Sequence, residues 1–77
     1  MTEEQFEKLL TQELFLLNTF EGCVMHTIPA NKETKTDGKC FIKFPKKPEY
    51  SVSRGTNIAI DTFNYFEEIT AEDYANF

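Results

Sequence analysis

Every leucine in this chain lies between Leu9 and Leu17. The rest of the core must then come from phenylalanine, isoleucine, valine and tyrosine. Leucine is a good helix former, whereas β-branched and aromatic side chains suit a pleated surface. The chain therefore divides into a helical start and a sheet-forming remainder.

Thr2-Glu3-Glu4-Gln5 has the form of a capping box, with Gln5 at the third helical position and two acids in the first turn. At about 100° per residue, Phe6, Leu9, Leu10, Leu14, Leu16, Leu17 and Phe20 share one arc. This predicts an amphipathic helix from Thr2 to near Phe20, stopped by Glu21-Gly22. Two residues do not fit. Glu13 falls inside the apolar arc, where an unpaired carboxylate is costly, so it should meet Lys43, Arg54, His26 or a tyrosine near the helix–sheet seam, or else reach a dimer interface. Phe15 falls on the polar face and should be an exposed contact residue.

Downstream, short apolar runs alternate with turn residues. Cys23–Ile28, Cys40–Phe44 and Tyr50–Ser53 read as strands, separated by the polar loop 30–38 and by Pro45-Lys46-Lys47-Pro48. Ile58–Phe63 also reads as a strand, on its β-branched content and the preceding Gly-Thr-Asn turn. A helical stripe through Ile58, Ala59, Phe63, Phe66 and Ile69 is the competing pattern, with Ile60 out of place. Thr70-Ala71-Glu72-Asp73 begins a terminal helical turn. The expected fold class is α+β: an N-terminal helix packed on a small antiparallel sheet of three to four strands, then a short C-terminal helical turn. Residues 1–77 fit one small domain with a thin core, which a homodimer would help to stabilise.

Charge is arranged in three blocks. Residues 1–30 sum to −4, residues 31–54 to +4 and residues 55–77 to −5, the last without a single base. A basic middle between acidic ends lets a chain show faces of opposite sign to different partners. The acidic start Met1-Thr2-Glu3-Glu4 lacks the basic, then apolar, form of a signal peptide, so a cytoplasmic location with reduced Cys23 and Cys40 is expected.

The remaining motifs are weak. Cys23-Val24-Met25-His26 has the spacing of half a zinc site, but there is no second pair and no other histidine. A Cys/His nucleophile pair would also need an oriented base and an oxyanion site, which the sequence does not supply. Gly38–Phe44 shares its glycine, Phe41-Ile42 and Phe44 with the RNP1 strand of RNA-recognition domains. It departs from that motif at Asp37 and Lys39, and the order of elements differs, so the match counts as coincidence. No catalytic group, cofactor or metal is expected.

Two binding modes remain. Carboxylates on a rigid surface can imitate nucleic-acid phosphates and occupy a partner's basic groove. On that reading Asp61, Glu67, Glu68, Glu72 and Asp73, with Glu4, Glu7 and Phe15, contact a protein target that itself handles nucleic acid. Small inhibitors made by phages and mobile elements share this general character. The alternative is a weak nucleic-acid binder using Lys39, Lys43, Lys46, Lys47 and Arg54, although a net charge of −5 opposes it. A self-associating structural module without a ligand is the third reading. A membrane partner is not expected.

Overall fold

The computed structural model describes residues 2–77. Its elements are α1 (Glu3–Thr11), β1 (Leu14–Asn18), β2 (Val24–Ile28), β3 (Lys39–Lys43), β4 (Tyr50–Val52), α2 (Asn57–Asn64), β5 (Phe66–Ile69) and α3 (Ala71–Ala75). The fold is α+β, as expected, with one strand more than the upper estimate. The strands form an all-antiparallel sheet in the order β4-β3-β2-β1-β5.

The N-terminal helix is shorter than its leucines suggested. The capping box between Thr2 and Gln5 is present, but the chain turns extended at Gln12. From Leu14 onward the relevant period is two, not 3.6. Leu14, Leu16 and Asn18 are buried on one face, while Phe15 and Leu17 are half-buried on the other. The predicted helix over residues 12–20 is therefore a bend and a strand. Only Leu9 of α1 is buried, and Phe6 and Leu10 are about half exposed, so the helix rests on the sheet by a narrow contact.

The second correction concerns residues 58–63. They form α2 rather than a strand, with Ala59 and Thr62 buried and Ile58 and Phe63 packed beside them. That i, i+1, i+4, i+5 spacing is one helix face, and it outweighs the β propensity of the isoleucines. Ile60, the residue outside the stripe, is exposed. Phe66 and Ile69, the far end of the same stripe, belong instead to β5, which pairs with β1.

The core is one cross-strand row and its cover. Leu16, Met25 and Ile42 stand opposite one another on β1, β2 and β3, and all three are completely buried. Burial of such side chains stabilises by about 1.5–3 kcal/mol each. Leu9 and Ala59 belong to the same cluster. Cys23 and Cys40, both free thiols, are also buried in it. On the other face, α3 sits against β1 and β2 and buries Tyr74.

Two glycines matter to this layout. Gly22 closes the β1–β2 turn at φ 73°, a left-handed conformation that side chains resist. At Gly38 a Cβ would meet the Ile28 carbonyl oxygen at 3.1 Å and Arg54 Cζ at 3.2 Å, so the guanidinium needs the space that glycine leaves.

Candidate protein-binding face

The sheet order turns the charge blocks of the sequence into a spatial polarity. Lys39 and Lys43 are on β3, and Lys46 and Lys47 lie in the connection to β4, the strand at one end of the sheet. Glu67 and Glu68 are the central residues of β5, at the opposite end. Between β5 and the start of α1 runs a groove of about 440 Å³ lined by Glu4, Gln5, Lys8, Phe66, Glu67 and Glu68, among others. Lys8 is its one base, and Lys8 Nζ lies 3.3 Å from Glu68 Oε2.

Of the acids singled out by sequence, Glu4, Glu67 and Glu68 line this groove, Glu68 from the α1 side of the sheet and Glu67, the neighbouring residue of the edge strand, from its other side. The others do not. Asp61 is half-buried on α2. Glu72 and Asp73 are on α3, on the far side of the sheet, and the Asp73 carboxylate accepts the Thr70 N–H in a capping box. Glu7 is exposed on α1 and is not among the groove residues.

Phe15 is corrected. Its ring is half-buried, stacks on the His26 imidazole and touches the Tyr74 ring, with centroids 5.4 Å apart. His26 also neighbours Phe41, which stands opposite it on β3. These side chains form a stripe across β1, β2 and β3 that α3 partly covers. Glu13 has its expected type of partner, but in a different setting. It lies in the bend between α1 and β1 and reaches His26 Nε2 at 2.5 Å, with its own side chain more than half exposed.

The basic set is dispersed, and two of its members are occupied. Lys43 Nζ donates to the carbonyl oxygens of Tyr74 and Ala75, where it meets the negative end of α3. Arg54 donates to Thr27 Oγ1 and the Ile28 carbonyl and lies over the Phe63 ring. Lys39, Lys46 and Lys47 remain exposed. Cys23 and His26, which looked like half a metal site, are in different surroundings: the thiol in the core, the imidazole in the aromatic stripe. Burial pushes the Cys23 thiol pKa up, which makes it a poor nucleophile.

Sequence reasoning missed an exposed aromatic pair. Phe20 and Tyr65 are 71% and 57% exposed, with ring centroids 6.0 Å apart. They meet because Thr19 donates both its N–H and its hydroxyl to the Tyr65 carbonyl, pinning the β1–β2 turn to the residue before β5. Their separation in sequence gave no sign of the contact. Large exposed rings beside charged groups are typical anchors of protein interfaces.

No protein-family model, characterised protein or solved structure matches this chain. Among the described residues, no helix is long and apolar enough to cross a membrane.

Proposed function

We propose that this protein is a non-enzymatic binding protein whose acidic end covers the basic, nucleic-acid-binding surface of a protein target. The observation that carries this reading is the disposition of charge. Among the described residues, Lys8–Glu68 is the ion pair made by a lysine or arginine, and Glu13 lies against the His26 imidazole. Glu67 and Glu68 of β5 are not paired with the lysines of the middle block, which lie toward the other end of the sheet. An acidic edge that carries one base, Lys8, against Glu4, Glu67 and Glu68 keeps a net negative charge, which steers a basic partner and repels a phosphate backbone. Direct nucleic-acid binding is the weaker reading, because Lys43 and Arg54 already serve α3 and β2.

The test is capture of proteins from a lysate fraction that adheres to a nucleic-acid column. Capture should fall as salt rises and be reversed by added oligonucleotide, which competes for the same basic surface. Glu67→Lys with Glu68→Lys should abolish it, while Lys46→Glu with Lys47→Glu should leave it intact. If the chain itself shifts an oligonucleotide in a gel at physiological salt, and the lysine substitutions remove that shift, the reading is overturned.

A further inference from the structure

At the acidic end, β5 is the last strand of the sheet, and the direction of its backbone groups follows from its neighbours. Asn18 donates its N–H to the Cys23 carbonyl, on the β2 side, and Thr19 donates its own to the Tyr65 carbonyl, on the β5 side. Antiparallel ladders alternate. Residues 15, 17 and 19 of the first hairpin therefore bond toward residues 69, 67 and 65, in agreement with the register Phe15↔Ile69 and Leu17↔Glu67. Phe66 and Glu68 must then turn their N–H and C=O groups away from the sheet. Among the described residues, no backbone bond from outside the sheet reaches Phe66–Ile69.

We infer that this outer edge of β5 is a docking strand for an extended, basic segment of the protein partner, which joins the sheet as a sixth strand. The inference rests on the acidic-face reading and specifies how that face is used. The open edge supplies main-chain hydrogen bonds, and the flanking side chains select the occupant. Glu68 projects on the side of the sheet that carries α1, as its contact with Lys8 shows, and Glu67 projects on the other side. Alternate side chains of an added strand would enter the α1–β5 groove beside Glu4 and Glu68, and the intervening ones would pass Glu67. Lysine or arginine suits both rows. The exposed Phe20–Tyr65 pair stands at the Phe66 end of the strand, where it can pack against the aliphatic stem of a basic side chain.

A second copy of this chain fits the edge poorly. Symmetric antiparallel pairing of β5 with itself sets the glutamates of the two copies against one another, and opposed like charges destabilise a sheet.

The experiment uses the full chain, labelled for amide NMR, and two end-blocked probe peptides, one alternating Lys and Val and one alternating Glu and Val, at low ionic strength. The Lys/Val peptide should shift the amides of Phe66 and Glu68 and slow their hydrogen exchange, with much smaller changes at Glu67 and Thr19, whose N–H groups face the existing ladder. The Glu/Val peptide should do neither. Glu68→Pro removes an outward donor while sparing the β1–β5 bonds, and it should weaken Lys/Val binding tenfold or more. If Glu68→Pro does not fold, the exchange pattern of the wild-type chain decides. Unchanged exchange at Phe66 and Glu68 under saturating peptide overturns the docking strand. If, with unchanged exchange, Glu67→Lys/Glu68→Lys still abolishes lysate capture, the acidic-face reading survives alone; if capture also persists in that variant, both readings fall.

Discussion

The Phe15 ring lies flat against the His26 imidazole, with centroids 4.4 Å apart and planes inclined by 13°. The two residues are direct cross-strand partners on β1 and β2. Stacking of this kind adds to the area each ring buries and ties the first two strands together on the side opposite α1. Tyr74 of α3 rests on both rings, so the pair also forms the floor on which the C-terminal helix sits.

Phe15→Ala is therefore a stability variant rather than a binding variant. A fully buried Phe→Ala change costs 3–5 kcal/mol, and a half-buried ring should cost about 1–2 kcal/mol. In a domain of this size, that lowers the melting temperature by roughly 5–15 °C, readable by circular dichroism. A melting temperature within about 2 °C of wild type would mean that the ring contributes little to packing.

Phe15 and Glu13 also show where the sequence was legible. They were the two misfits on a helical wheel drawn from Thr2 to Phe20, and they mark the place where the helix gives way to a strand. The wheel absorbed Leu14, Leu16 and Leu17 because a dense apolar run satisfies periods of 3.6 and 2 alike. Both capping boxes were readable, since they depend on residues three positions apart. So were β2, β3 and β4, each bounded by glycine, proline or polar turn residues. The strand β5 is not, because Glu67-Glu68 at its centre gives no alternation and the sequence of its partner β1 also satisfies a helical period. The convergence of Glu4 with Glu67 and Glu68 depends on that pairing, and the Phe20–Tyr65 contact likewise arises only from the fold.

The β1–β2 turn depends on Asn18, which is completely buried. Its Oδ1 accepts the N–H groups of Phe20 at 2.9 Å and Glu21 at 2.8 Å, and its Nδ2 donates to Thr62 Oγ1 on α2 at 2.9 Å. Asn18→Ala removes all three bonds at once and leaves the Phe20 and Glu21 N–H groups without that partner, while Thr62 Oγ1 keeps its bond to the Ile58 carbonyl. A cost of about 2–4 kcal/mol is expected, from about 1 kcal/mol for each bond lost. Thr62→Ala should cost less, and the double variant should fall short of the sum by about 1 kcal/mol, because both remove the same bond. Additive effects in denaturant titrations would show that the Asn18–Thr62 bond contributes nothing to stability.

Tyr74 gives the fold a sensitivity to alkali. Burial raises its phenol pKa, and the hydrogen bond it donates to Glu49 Oε2, at 2.6 Å, together with the charge of that carboxylate, raises it further. The native state thus holds the phenolic proton at pH values where the unfolded chain, with an ordinary tyrosine near 10, releases it. The unfolded state then binds fewer protons, so stability declines as pH rises. The contribution of Tyr74 is complete below pH ~10 and is lost progressively above it, toward the raised native value. Tyr74→Phe keeps most of the ring packing but has no proton to lose. At neutral pH it should be the less stable protein by about 1 kcal/mol, for the missing hydrogen bond. Between about pH 10 and 11 that difference should shrink or reverse, by up to about 1.4 kcal/mol per pH unit. Parallel stability curves for wild type and Tyr74→Phe across this range would rule out the phenol as the source of alkaline unfolding.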